Sequence, residues 1–145
     1  MADIKIIVDS GSDIPQDIAD KYNIGVISFL SIFGTEQYVQ RTEITNEQFF
    51  DKLEEYDGIP TTSQTPFGDM LDYFKQQCEE HESVIYFALS SAASGQYQTA
   101  NLVKSEIEEE NPNADFHIVD SQKFSLYIAQ TAVHAAQMAK GRQKR

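Results

Sequence analysis

The chain has 145 residues, 41% hydrophobic and 11% aromatic, with a net charge of −12 and one cysteine. Length and composition suit one globular domain with its own core and exclude a disordered segment, while a lone thiol excludes an internal disulfide framework. No apolar run is long enough for a membrane span, and acids flank the short apolar run of the N-terminus, so neither a transmembrane helix nor a signal peptide is expected; the cytoplasm is. All 23 acids precede residue 140, whereas Lys140, Arg142, Lys144 and Arg145 crowd the last six positions. The body therefore sets seven bases against those acids. Such a surface repels nucleic acid and anionic lipid. Residues 1–140 are expected to form one domain, with 141–145 a basic helix end or linker, where cations are favoured by the helix dipole.

The chain alternates short apolar strands with helices. Ile4–Val8 is an apolar run broken only by Lys5, as in a strand covered on both faces. Asp13-Ile14-Pro15 opens a helix, with Ser12 or Asp13 as its cap and Ile18 and Tyr22 on one face. Gly25–Phe33 reads as a second strand closed by a turn at Gly34-Thr35. Thr45 and Gln48 fit a capping box, and the helix after them is expected to bury Phe49, Phe50 and Leu53. A polar loop, Thr61–Thr65, leads into a helix with Phe67, Met70, Leu71, Phe74 and Cys78 on one stripe. Val84–Leu89 is a buried strand, and Ser94-Gly95 opens a helix carrying Tyr97, Ala100, Val103 and Ile107. Phe116–Val119 is a further strand, followed by an alanine-rich helix from about Ser125 to Lys140. Strands separated by helices predict an α/β fold, a mostly parallel sheet with helices on both faces.

Four polar segments stand at strand ends or helix starts: Asp9–Asp13, Thr61–Thr65, Ser90–Gly95 and Asp120–Ser125. In open α/β sheets ligands bind beyond the carboxyl ends of the strands, where backbone N–H groups and helix dipoles favour an anion. The same hydroxyls serve equally as helix caps, so they name no ligand. Catalytic patterns are weak. Asp9–Asp13 lacks the third-position acid of a haloacid-type phosphatase, and neither a phosphate-binding glycine loop nor a nucleophile elbow is present. His81, His117 and His134 lack ligand spacing, His81 sits among acids as an exposed residue would, and Cys78 reads as core, so neither a metal nor a cofactor is expected. Asp9 and Asp120 form a candidate carboxylate pair above neighbouring strands, or else simple turn residues.

Taken together, four segments resemble the DegV family. Ile7–Pro15 matches its opening D-S-T/S-x-D-L/I-P signature. Ile59–Met70 resembles P-T-T-S-Q-P-x-x-G-E/D, Leu89–Ala100 resembles I-S-S-x-L-S-G-T-Y-x-S/T-A, and Ile118–Ser125 resembles V-I-D-S-x-x-x-S. Order and intervals agree over nearly the whole chain. The resemblance implies a lipid-binding protein and not an enzyme: a bacterial carrier that holds a long-chain fatty acid such as palmitate and presents its carboxylate to a separate fatty-acid kinase subunit. It implies that Thr62 and Ser94 contact the carboxylate, with Ser63, Ser91 and Gly95 around them. Gln96 stands where the family has a small Thr and is expected to narrow the pocket mouth or donate an amide to the head group. The family's second lobe, with its basic residues and part of the acyl tunnel, is absent from this sequence. One lobe alone is expected to bind lipid weakly or not at all and to self-associate through its uncovered interlobe face. Two other readings stay open: a ligand-free interaction module or fragment, and a stand-alone hydrolase or transferase using Asp9, Asp120 or the serines.

Overall fold

In the computed structural model, which describes residues 3–142, the first apolar run forms strand β1, Ile4–Asp9, and a 3-10 turn at Ser10–Ser12 follows it. The remaining elements in order are α1 (Gln16–Lys21), β2 (Gly25–Ile27), β3 (Leu30–Phe33), β4 (Glu36–Val39), α2 (Asn46–Glu55), β5 (Thr61–Ser63), α3 (Phe67–Glu80), β6 (Ser83–Ala88), α4 (Gln96–Glu110), β7 (Phe116–Asp120) and α5 (Leu126–Arg142). β2, β1, β6 and β7 pair in that order as a parallel sheet. Side chains alternate across it, so the sheet feeds two cores, one on each face. On one face Ile7, Val84, Tyr86 and Phe116 pack with Met70 and Phe74 of α3 and Ala100, Val103 and Ile107 of α4. On the other, Ile6 and Val8 pack with Ala19 of α1 and Ile128, Ala129 and Ala132 of α5. The expected α/β sandwich of helices around a mostly parallel sheet is what forms. None of its helices among the described residues is long and apolar enough to cross a membrane.

A second sheet was not expected. β3, β4 and β5 form a three-stranded antiparallel sheet in the order β4-β3-β5. The run Gly25–Phe33 is therefore two strands in two sheets, broken at Ser28 and Phe29. Gly34, in the left-handed region at φ 63°, turns β3 back into β4, as the Gly34-Thr35 turn predicts. The polar segment at Thr61 is not a loop throughout, because Thr61–Ser63 pairs with β3 as an edge strand.

Several local expectations hold and several shift. Thr45 and Gln48 form a complete capping box at α2. That helix buries none of its residues: Phe50 is 61% exposed, Leu53 lies partly open, and Phe49 reaches Phe33 at 5.5 Å between ring centroids. α1 is capped by neither Ser12 nor Asp13; its N-cap is Pro15, and the Ser12 hydroxyl accepts from the Ile14 amide instead. His81 is partly buried rather than open, with its ring nitrogen 2.7 Å from Asp3. α5 continues through Gly141 and Arg142, so only residues 143–145 of the expected tail lie outside the described residues.

The chain leaves the parallel sheet at Ser28-Phe29 and returns at Gln64–Pro66, and polar side chains fix both crossings. Gln96, fully buried, accepts from the Thr65 amide (3.1 Å) and donates to the Thr65 hydroxyl (3.0 Å). That hydroxyl in turn donates to the Ser28 carbonyl (2.8 Å). On the other side of the break the Phe29 amide donates to the Ser10 hydroxyl (2.9 Å). Gln96 thus neither narrows a mouth nor faces a head group; its amide is spent inside the fold. Removing it leaves the buried Thr65 N–H without an acceptor, a penalty of about 1–3 kcal/mol. Gln96→Leu is expected to lower unfolding stability by about 2 kcal/mol, read as a shift of the urea midpoint, and an unchanged midpoint contradicts the clamp.

Candidate functional site

The strand order places a topological switch between β1 and β6: the chain runs from β1 outward to β2 and later returns to the other side of β1. Loops after these two strands diverge and leave a crevice at their carboxyl ends. The 3-10 turn at Ser10–Ser12 and the segment Ser90–Gly95 form its walls. The β5–α3 link joins them through the Gln96 clamp, with Gln64 Oε1 3.0 Å from where a Cβ on Gly95 would stand. Gln64 also accepts from Thr99 Oγ1 at 2.9 Å. Gly95 therefore lets the end of β5 lie close against the start of α4, and it brings the Thr62 segment beside the Ser94 segment.

The hydroxyls of this rim differ in what they are already doing. Ser91 donates to Asp120 Oδ2, and its amide donates to Asp120 Oδ1 at 3.2 Å. Ser63 donates to the Gln64 carbonyl at 3.3 Å. Ser94 Oγ accepts from the Gln96 amide at 3.2 Å, which leaves its own proton free to donate. The Thr62 hydroxyl, on an exposed residue, has no partner among the described residues. Of the five rim residues named from sequence, Thr62 and Ser94 keep donors to offer. Ser63 and Ser91 spend theirs on the fold, and Gly95 supplies room.

Thr62 pairs directly with Ser31 of β3. Residues opposite one another in a ladder point to the same face. Ser31 lines a cavity of about 630 Å³ that also touches Ser10, Gln40, Arg41, Ile44 and Phe49. That volume falls in the range of small-molecule sites. Its walls are mixed: Ile14, Ile44, Phe49 and Phe50 are apolar, while Ser10, Ser31 and Gln40 make a polar floor. Arg41 is the basic side chain on the wall. It donates to the Ile14 carbonyl (2.6 Å) and Gln16 Oε1 (2.8 Å), both uncharged, so its positive charge has no carboxylate in contact among the described residues. Of these cavity residues, Ser31, Gln40, Arg41 and Ile44 were not singled out in the sequence. The one available signal was the apolar–polar alternation of β3 and β4 facing the capping-box helix.

Asp9 and Asp120 do not form a pair. β6 lies between their strands, and each carboxylate has its own partners. Asp120 serves Ser91, and those bonds hold its carboxyl below the usual range. Asp9 is fully buried and accepts from the Tyr86 hydroxyl and the Leu89 amide, both at 2.8 Å. Burial pushes its carboxyl upward, opposed by Leu89, Tyr86 and the Gly11 amide. Asp9 Oδ1 has no hydrogen-bond partner and sits 2.9 Å from where a Cβ on Gly11 would stand, which seals it under the turn. Burial also lifts the Cys78 thiol to about 11, so it is a core group rather than a ready nucleophile.

Known proteins share this arrangement. The family model for the DegV family matches residues 3–144. A DegV domain-containing protein of Clostridium perfringens is 31% identical over 136 residues, covering 94% of this chain and 48% of that protein. Among solved structures, DegV of Bacillus subtilis, described as a fatty acid binding protein, superposes with a TM-score of 0.88 at 26% identity, covering 97% of this chain and 49% of that one. A Thermus thermophilus DegV family protein, described by its fatty acid binding, gives 0.82 at 27% identity over 96% of this chain and 48% of that one. The chain spans about half the length of the relatives it matches.

The state of Asp9 gives a pH signature. A carboxyl whose folded pKa lies above its unfolded value of 3.8 stabilises the fold below that value, and the contribution is lost as pH rises through the folded pKa. Asp9→Asn cannot ionise. Thermal melts of both forms from pH 3 upward are expected to show the wild-type chain losing stability relative to Asp9→Asn as pH rises through the carboxylate range (about 4 and above). A difference that stays flat with pH contradicts this.

Proposed function

This chain belongs to the DegV family, and on that footing we propose that it is a cytoplasmic lipid-binding subunit that receives the carboxylate of a long-chain fatty acid such as palmitate on Thr62 and Ser94. The observation that carries the reading is the pair of uncommitted hydroxyl donors at the switch-point crevice, one of them the ladder partner of Ser31 on the cavity wall. Ser63, Ser91 and Gly95 complete the rim as its frame. Among the described residues Thr62 and Ser94 have no base in contact, which supports a binding role over catalysis by this chain. The bound carboxylate, held by neutral donors at an open rim, is presented to a separate kinase subunit for phosphorylation.

Magnitudes divide the work. Each buried methylene contributes about 0.8 kcal/mol, so about fifteen supply on the order of 12 kcal/mol before the cost of ordering the tail. A hydrogen bond to a charged group adds about 1.5–3 kcal/mol. Tail burial therefore sets affinity, and the two hydroxyls set which end faces outward. A partly covered tail binds weakly, and the uncovered apolar side chains at the sheet's carboxyl end favour self-association: Phe124, Leu126 and Tyr127 are 52%, 59% and 70% exposed.

Thr62→Ala is expected to reduce phosphoryl transfer by a cognate fatty-acid kinase by about tenfold while acyl retention, read by native mass spectrometry, falls less. Equal losses in the two assays sink the division of labour, and a wild-type chain that never takes up lipid sinks the reading as a whole. Sedimentation of the wild-type chain beside Leu126→Glu/Tyr127→Glu tests the exposed face: the double variant is expected to run as monomer where the wild type associates.

A further inference from the structure

Ser31 stands in the middle strand of the small sheet and is 1% exposed. Its partners across the two ladders are Tyr38 and Thr62, which share its face, and Phe33 lies two residues on along the same face. Of these, Ser31 lines the cavity, and Thr62 stands beside it across the ladder.

The hydrogen bonds reaching Ser31 run one way. The Phe29 amide can only donate, and it donates to Ser10 Oγ at 2.9 Å. Ser10 therefore keeps its own proton for Gln40 Oε1, 2.7 Å away. With its oxygen taken, the Gln40 amide turns Nε2 to Ser31 Oγ and donates at 3.0 Å. Ser31 is thus an acceptor within the chain, and its hydroxyl proton has no acceptor among the described residues. A buried donor left without an acceptor is costly, and this one ends in a cavity.

We propose that Ser31 is a third donor of the head-group site: its hydroxyl binds the same carboxylate that Thr62 and Ser94 receive, with Ser10 and Gln40 holding it in the donating orientation. The inference rests on the fatty-acid reading above. Opposed residues of an antiparallel pair have Cβ atoms about 5 Å apart, a gap that one carboxylate bridges when both hydroxyls donate to it. Arg41 on the same wall adds positive potential, offset in part by Asp13 on that wall and by Asp20 nearby. β3 pairs with both neighbours through its backbone, so the Ser31 hydroxyl is not spent on either ladder.

The test is a titration of the 15N-labelled chain with octanoate and, separately, with 1-octanol, following the amide resonances of Thr62 and Ser94. Ser31→Ala is expected to weaken octanoate on the order of tenfold and octanol less than about twofold, because only the anion uses the charged hydrogen bond. Ser31→Cys gives a second route that fills the same space without adding charge. A thiol is a much weaker donor than a hydroxyl, so octanoate is again weakened selectively; this variant carries the test if Ser31→Ala does not fold. Octanoate binding unchanged in the variant overturns the role of Ser31 alone, and so does an equal loss of both ligands. A wild-type chain whose Thr62 and Ser94 amides ignore octanoate overturns the fatty-acid reading and the Ser31 contact with it.

Discussion

The side-chain amide of Gln96 is the joint between the two sheets. From the first turn of α4 it takes both polar atoms of Thr65, and Thr65 passes the connection to the Ser28 carbonyl. The chain crosses between sheets at just these places. Without that joint, β5 keeps only its ladder with β3 and the Thr99–Gln64 bond to locate it, and Thr62 is less firmly fixed beside the Ser94 loop. A primary amide suits the task because it is donor and acceptor at once, at fixed spacing, and carries no charge to desolvate.

Beneath the joint lies the second constraint, the buried Asp9. Its carboxyl receives Tyr86 from the middle of β6 and the amide of Leu89 just beyond it, so the ends of β1 and β6 are tied where they would otherwise splay. The crevice above needs those strand ends fixed, since its two walls grow directly from them. Asp120 also takes a backbone amide and a hydroxyl at the rim, but it stays half-open. Asp9 is set apart because it is fully buried and faces backbone and phenol donors instead of water. The free donors at the crevice above it are neutral hydroxyls.

Much of this was legible in the sequence, for identifiable reasons. β1 and β6 read as buried strands because both faces are covered, which leaves an unbroken apolar signature. The α2 start was legible because a capping box is a local device whose partners lie three residues apart. What stayed hidden was set by distant partners. Gly25–Phe33 is continuous in hydropathy, yet Ser28 and Phe29 are claimed by Thr65 and Ser10, and the strand changes sheets there. β5 has three hydroxyl residues and one ladder neighbour, so it lacks both the apolar alternation and the length that mark a strand. Ser91 and Ser94 are equivalent as letters; only the position of Asp120 separates a spent hydroxyl from one with a proton to give. The family's motifs, not the chemistry of the letters, pointed to Thr62 and Ser94.

The one-way line of bonds from Phe29 to Ser31 contains a backbone amide, two alcohols and a carboxamide, and none of these titrates in water near neutrality. Thr62 and Ser94 do not either. A pocket floored in this way offers the same donors in mild acid as in mild base. These donors therefore add no pH dependence of their own to an acid ligand, whose carboxylate ceases to be the better acceptor once it takes up a proton.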